Sequence, residues 1–224
     1  KISNSLRSKF IVNYDASKFT WFRAGGKTDI YSLVYDENEL EIILNNIGHI
    51  PYLIIGAGSN LLIRDKGFKG LIIKLGKSFN KLSIEDNKIV TGAGILDVNL
   101  AKFAHSNSIK NFEFFSGIPG SIGGAIIMNA GCYGSETKDV LELVNIITNK
   151  GMKKTLYNKD LNFSYRNSNL TDDDIIISAV FKAKFGNKEK INSLIEKIRS
   201  LRKKSQPLKH KTSGSTFKNP QGFF

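Results

Sequence analysis

Three glycine-bearing stretches are the residues whose types and spacing offer chemistry. The first is Gly56-Ala57-Gly58-Ser59-Asn60. Glycines leave backbone N–H groups uncovered, Ala57 adds little bulk, and Ser59 and Asn60 contribute side-chain donors. Such a nest can converge on pyrophosphate oxygens without a metal ion. The spacing excludes two other phosphate sites: the third glycine of G-x-G-x-x-G would fall at Leu61, and no Gly-Lys-Ser/Thr follows. Taken alone, the pentapeptide also reads as an ordinary β-turn. The second stretch is Thr91-Gly92-Ala93-Gly94, and the third is Ser116–Gly134, SGIPGSIGGAIIMNAGCYG. In that run Ile118, Ile122, Ile126, Ile127 and Met128 are threaded between glycines, unlike a flexible linker. A stretch both glycine-rich and apolar is read as buried and tightly folded, with missing Cβ atoms letting backbone pass close to something flat or bulky. The alternative is a set of tight turns within a core. Asn129 and the glycines interrupt the run well short of the about 20 apolar residues of a membrane span.

These turns must be carried by strands and helices, and the hydrophobic periodicity supplies candidates. Asp29–Tyr35 alternates as a strand, and Leu40, Ile43, Leu44 and Ile47 stand at i, i+3, i+4, i+7 of a helix over Glu37–Ile47. Gly48 ends that helix in the usual glycine position. Tyr52–Ile55 is a short strand running straight into Gly56, and Leu71–Leu75 is another. Leu82–Glu85 and Lys88–Thr91 flank Asp86-Asn87 as a hairpin, and Leu141–Thr148 with Lys153–Tyr157 flank Asn149-Lys150-Gly151 as a second. Asp97 is expected to cap a helix carrying Leu100, Phe103 and Ala104. Ile175–Phe185 reads as one long β segment, and Asn187–Lys204 as a helix with an apolar stripe and a basic opposite face. Strands and helices mix without strict alternation, so the fold class is α+β. The boundaries fall near Gly76 and at Gln206-Pro207, giving units 1–76, 77–205 and 206–224.

Composition narrows the function. With one cysteine, Cys132, the chain has no intramolecular disulfide and no cysteine-cluster zinc site. His49, His105 and His210 have no ligand spacing, so no metal site is expected. The start, Lys1–Phe10, has neither an apolar h-region nor a cleavage site. It begins with Lys rather than Met, so trimming or processing is expected, and a cytoplasmic protein is the expectation. The net charge of +13 is concentrated: Lys182–Lys211 holds eleven basic and two acidic residues, net +9. Only six of the 33 basic residues are Arg, and no aromatic-basic or zinc-finger spacing appears, which speaks against nucleic acid. An anionic small ligand suits this charge better.

Together, GAGSNLL, the TGAG of Thr91–Gly94 and the long glycine run resemble the UDP-N-acetylenolpyruvoylglucosamine reductase family. The resemblance extends to Thr20-Trp21-Phe22-Arg23-Ala24-Gly25-Gly26, to Phe163-Ser164-Tyr165-Arg166 and to Gly214-Ser215-Thr216-Phe217-Lys218-Asn219-Pro220. It implies a two-part FAD-binding architecture of the vanillyl-alcohol-oxidase class and a bacterial cell-wall flavoenzyme. There FAD takes hydride from NADPH and passes it from flavin N5 to C3 of the enolpyruvyl group. By the same resemblance Gly56, Ala57, Gly58, Ser59 and Asn60 hold the FAD pyrophosphate. Thr91, Gly92, Gly94, Gly117, Ile118, Pro119, Gly120, Ser121, Gly123 and Gly124 line the rest of the flavin site. Arg166 matches the catalytic arginine, which clamps the substrate carboxylate and stabilises developing negative charge. Ser215 matches the proton donor to C2 and must be held in reach because serine is a weak acid in water. Asn219 matches a substrate-contacting position, and Lys218 is expected to stabilise the Ser215 alkoxide by proximity. Tyr165, Arg166, Lys218 and Asn219 are expected at the nucleotide-sugar substrate. A monomer binding neither membrane nor nucleic acid is expected.

Two departures accompany the resemblance. Only 49 positions separate Arg166 from Ser215, as in the shorter branch of the family, which lacks an insertion and its substrate-covering tyrosine. The sequence also stops at Phe224, soon after FKNP, so the rest of a C-terminal substrate domain and its glutamate are expected to be absent. Residues 206–224 are therefore expected to be mobile, and the chain to take FAD without substrate turnover. The alternatives are another flavin oxidoreductase of this fold and a non-catalytic basic module using Lys182–Lys211.

Overall fold

Alternating apolar residues build two sheets in succession along the chain, and the space between them is where the glycine turns meet. The computed structural model describes residues 6–207, 210, 212 and 218–220. The first sheet contains β1 (Lys9–Asp15), β2 (Lys27–Val34), β3 (Tyr52–Ile55) and β4 (Phe68–Leu75). Its order is β1-β2-β4-β3, with β1 antiparallel to β2 and the other pairs parallel. Parallel neighbours cannot share a tight hairpin. The chain therefore returns from β3 to β4 through residues 56–67, and this crossover opens with the Gly56–Asn60 turn. Helix α1 (Glu37–Asn46) connects β2 to β3. Asp36 caps it by accepting the Glu39 N–H at 3.0 Å, and Gly48 adopts the expected left-handed φ of +63° after its end.

The second part begins with β5 (Leu82–Glu85) and β6 (Lys88–Gly92), then α2 (Asp97–Ser106), β7 (Ile109–Lys110), α3 (Ile122–Ile127), β8 (Gly131–Cys132) and β9 (Ser135–Glu136). Strands β10 (Leu141–Thr148), β11 (Lys153–Tyr157), β12 (Asp174–Lys182) and β13 (Lys184–Phe185) precede α4 (Lys188–Ser205). The large sheet has the order β11-β10-β12-β6-β5 and is antiparallel throughout. Both hairpins form as predicted. Asp86 and Asn87 take φ of +46° and +58°, the pattern of a two-residue turn matched to strand twist.

The sequence expectations fail at four places. Strand β1 was not foreseen: Asn13, at φ +53°, interrupts its alternation on an edge. The predicted Ile175–Phe185 strand is two strands. Its last two residues leave the large sheet and pair with β7. Asp97 is not a cap, because Leu96 occupies that position and Asp97 is the first helical residue. The glycine run holds a short helix, α3, stabilised by packing rather than by propensity, since Gly123 and Gly124 lie within it.

Helix α1 joins the two sheets. Leu40, Ile43 and Leu44 pack on Val34, Leu71 and Ile73 of the first sheet and on Ile147, Ile175 and Ile177 of the second. The opposite face of the first sheet is closed by Tyr31, Ile72 and Phe19. In β12 the register against β10 slips near Ile177. Ile175 and Ile177 therefore face α1, while Ile176, Ala179 and Phe181 enter the larger core with Phe112 and Phe115. Helix α4 buries Ile191, Ile195 and Ile198. Its basic face is the opposite one, so the charge noted in the sequence is the solvated side of a packed helix. Among the described residues no helix is long and apolar enough to cross a membrane.

Candidate functional site

The end of β3, the end of β4, the turn after β6, the start of α3 and the start of β12 border one open cleft. Gly56, Ala57, Gly94, Ser121, Gly123 and Gly124 all line it. All three glycine stretches thus contribute, from both sheets. Gly58, Ser59 and Asn60 continue the first turn beyond the cleft wall. Thr91 and Gly92 lie behind it: Thr91 is fully buried and its hydroxyl donates to the Gly92 carbonyl at 3.1 Å. Gly117 is buried, and Ile118, Pro119 and Gly120 are half-buried in the loop leading to α3.

Backbone hydrogen bonds stitch these turns together. Gly123 N–H donates to Ala93 O at 2.9 Å, Ile122 N–H to Ile95 O at 2.9 Å, and Gly94 N–H to Phe79 O at 3.1 Å. On the other wall Trp21 N–H donates to Gly58 O at 2.9 Å, which explains the place of the TWFR motif. Several of these glycines sit where the turns close on one another. A Cβ at Gly56 would collide with Ser121 Oγ, one at Gly58 with the Phe19 carbonyl, and one at Gly94 with Asn80 Oδ1. Gly58 also has φ +72°, which L side chains rarely adopt. Gly124 differs: a Cβ there would meet only Ser121 Oγ, at 3.7 Å, so its bare Cα faces open space.

Three titratable groups stand in or behind this wall, Lys74, Asp97 and Asp174, and the first two are set apart by burial. Lys74 lines the cleft and donates to Gly56 O at 3.2 Å, and burial pulls its ammonium below the ordinary lysine range. Asp97 is fully buried, and Gly120 lies directly on its Oδ2. Neither carboxylate oxygen has a hydrogen-bond partner, and burial pushes this acid well above the usual carboxylate range.

A second polar centre forms where the glycine run ends. Tyr165 and Arg166 are the central residues of a tight turn closed by mutual Ser164–Asn167 backbone bonds at 3.1 and 3.3 Å. Arg166 has φ +52°, a strained conformation for its side-chain type. Its Nη2 donates to Gly131 O at 2.7 Å and its Nη1 to Asn129 O at 3.5 Å, with Glu136 Oε1 at 3.7 Å from Nη1. The guanidinium carbon lies 4.9 Å from the Tyr165 ring centroid. Asn129 is fully buried and anchors the centre. Its amide donates to Glu136 Oε2 and Ser164 O, both at 3.0 Å, and accepts the Lys138 N–H at 3.1 Å. Asn219 N–H donates to the Tyr165 hydroxyl at 3.3 Å, so the FKNP motif adjoins FSYR, and Lys218 beside it is exposed. Ser215 lies outside the described residues.

Asn129, Glu136, Lys74 and Arg202 were not singled out from sequence. Arg202 of α4 donates to Gly117 O, binding the basic helix to the glycine run. The Glu136-x-x-Asp139 capping box was the available sequence signal for Glu136. For the others the contacts are too distant in sequence to leave a local pattern.

The cleft fits an extended dinucleotide with a flat ring. It offers converging backbone turns, apolar walls from Ile54 and Ile127, one cation, and a bare Cα at Gly124 where a side chain would intrude. Among the described residues no cluster of three His, Cys, Asp or Glu side chains could hold a metal ion.

Comparison with known proteins agrees with this chemistry. Residues 29–157 match a family described as an FAD binding domain. The chain is 40% identical over 218 residues to UDP-N-acetylenolpyruvoylglucosamine reductase of Rickettsia typhi, covering 97% of this chain and 74% of that protein. The crystal structure of UDP-N-acetylenolpyruvylglucosamine reductase (MurB) from Thermus caldophilus superposes with TM-score 0.84 at 32% identity, covering 97% of this chain and 76% of that one. The 6-hydroxy-D-nicotine oxidase of Arthrobacter nicotinovorans, 13% identical, superposes with TM-score 0.60 over 80% of this chain and 43% of its own, which establishes the shared fold alone.

Proposed function

The chain belongs to the UDP-N-acetylenolpyruvoylglucosamine reductase family, and from that premise we propose how its own residues divide the work. It is an FAD- and NADPH-using oxidoreductase. It reduces UDP-N-acetylglucosamine enolpyruvate to UDP-N-acetylmuramate for peptidoglycan synthesis. The observation that carries the reading is the convergence of three glycine stretches, from two sheets, on one cleft. Bound there, FAD supplies the hydride chemistry between nicotinamide and enolpyruvyl group, while the protein supplies position and electrostatics.

Residues 1–76 and 77–205 form the two FAD-binding units, and residues from 206 onward begin the substrate-binding part. Gly56–Asn60 take the diphosphate, and Thr91–Gly94 and Gly117–Gly124 shape the wall against the ring. Arg166 is held by the carbonyls of Asn129 and Gly131. Its remaining N–H groups receive the substrate carboxylate, a charge-assisted pairing suited to a planar guanidinium. Tyr165, Lys218 and Asn219 surround the nucleotide sugar, and Ser215 delivers the proton to C2. The enzyme acts as a cytoplasmic monomer on a soluble substrate.

The experiment separates the two half-reactions. In the full-length enzyme, flavin-loaded Ser215→Ala protein keeps its visible flavin spectrum and is reduced by NADPH at nearly the parent rate. Its reoxidation by the enolpyruvyl substrate falls by at least about 10². Equal slowing of both halves would make Ser215 a structural residue. A parent protein that neither carries nor takes up FAD would overturn the cofactor site itself.

A further inference from the structure

Two charged side chains line the cleft, Lys74 and Asp174. Asp174 is engaged at the start of its strand, where Oδ2 accepts the Thr171 N–H at 3.0 Å and the Thr171 hydroxyl at 2.8 Å. Lys74 is placed differently. It extends from β4 opposite Ile55 and Leu33, and its Nζ reaches the Gly56 carbonyl at 3.2 Å. Burial pulls the ammonium down, and no neighbouring charge acts on it. An ammonium has three donors, and one carbonyl leaves two without an acceptor among the described residues. A partly desolvated cation with no counter-charge is costly unless an anion completes the site.

The turn that begins at Gly56 has donors but no charge of its own: Gly56, Ala57, Gly58, Ser59 and Asn60 are all neutral. An anion on the N–H groups of that turn lies beside the residue whose carbonyl Lys74 already holds. We propose that Lys74 binds the diphosphate of FAD, supplying the fixed positive charge that the Gly56–Asn60 turn lacks. The inference rests on reading the cleft as the FAD site. It goes further in naming a residue outside every glycine stretch and in assigning it to the phosphates rather than to the rings. A lysine on the adenine or isoalloxazine edge would meet neutral acceptors, and its charge would then matter little to salt dependence.

The test uses flavin-free protein titrated with FAD and with riboflavin, followed by flavin fluorescence at low and high ionic strength. ADP and adenosine serve as competitors. Lys74→Met is expected to weaken FAD about 10- to 100-fold, the range for a charge-assisted hydrogen bond. Its FAD affinity should also depend less on salt. Riboflavin and adenosine should bind as in the parent, while ADP weakens with FAD. Lys74→Arg should retain most of the affinity. Lys74→Gln keeps a donor without charge and should resemble Lys74→Met, giving a second readout if the Met variant is poorly folded. Equal FAD affinity in parent and Lys74→Met would overturn the proposal. So would a parallel loss for riboflavin or adenosine, which would place Lys74 on the rings or in the fold. Failure of the parent to bind FAD would instead overturn the cleft assignment, so the two failures are distinguishable.

Discussion

The cleft wall and the arginine corner share one glycine run and are held by different balances of backbone and side-chain bonds. Up to Gly124 the run is fixed mainly by backbone, with Arg202 adding one side-chain bond at Gly117: Ile122 and Gly123 donate to the turn after β6, and Gly120 accepts from Asp97 N–H. From Asn129 onward backbone bonds continue, including the β8–β9 pair, and side chains add to them, with Asn129, Glu136 and Arg166 bonded to one another or to carbonyls of the run. Where backbone closes on backbone, as at Gly58 and Gly92, there is no room for a Cβ and the position is all-or-none. A side-chain network instead aims one charged group and can be adjusted in steps. The wall suits a cofactor that stays, and the corner suits a substrate that must enter and leave.

The largest effect is expected on the wall. Gly58→Val puts a β-branched side chain at φ +72° and against the Phe19 carbonyl. The Gly56–Asn60 turn should deform, and FAD retention should fall by about 10² or more, since several donors lose their geometry together. The check is flavin occupancy after identical purification, read from the visible spectrum. Occupancy equal to the parent's would mean that the diphosphate is held elsewhere, and the contrast between wall and corner would fail at its strongest point.

Asp97 sharpens the contrast through pH. On the wall a fully buried carboxyl has no partner among the described residues, whereas Asn129, Glu136 and Arg166 at the corner each have one. Burial raises the folded pKa above the unfolded value of about 3.9. Above that value the unfolded chain has released the proton and the folded chain has kept it. Folding stability therefore falls as pH rises, by about 1.4 kcal/mol per pH unit, until the folded pKa is passed. Asp97→Asn has no such slope, so its stability gain over the parent should grow with pH from about 4 upward. Urea unfolding of the flavin-free proteins at several pH values measures this. A difference that does not change with pH would mean that Asp97 is ionised and paired.

What was legible in the sequence follows the same division. Positive φ and close backbone approach restrict residue type, so the wall was visible as glycine at Gly58 and Gly92. Periodicity likewise marked α1 and α4, and turn chemistry marked the Asp86-Asn87 hairpin. Side-chain contacts leave no such trace: Asn129 meets Ser164 across 35 positions, and Lys74 meets Gly56 across 18. Helix α3 was hidden because two glycines depress helix propensity while tertiary packing overrides it. The slip near Ile177 moved apolar residues between faces, which a strict alternation cannot anticipate.

The smallest effect is expected at the corner, and it decides whether the two ends are independent. Glu136 stands 3.7 Å from Arg166 Nη1, with both side chains partly exposed, and also accepts from Asn129 and Lys138. Glu136→Gln keeps the shape and one acceptor but removes the charge. A partly exposed pair of this kind contributes at most about 1 kcal/mol, so the protein should fold almost as stably. The carbonyls of Asn129 and Gly131 still orient the guanidinium, while the competing carboxylate is gone. The enolpyruvyl substrate should then bind somewhat more tightly, with KM lowered up to about fivefold at unchanged FAD affinity. Steady-state kinetics of the full-length enzyme and a flavin titration measure the two quantities separately. A KM that rose tenfold would show that the ion pair, rather than the carbonyls, aims Arg166. A changed FAD affinity would show that disturbance at the corner travels up the glycine run into the wall, and the two halves would have to be treated as one mechanical unit.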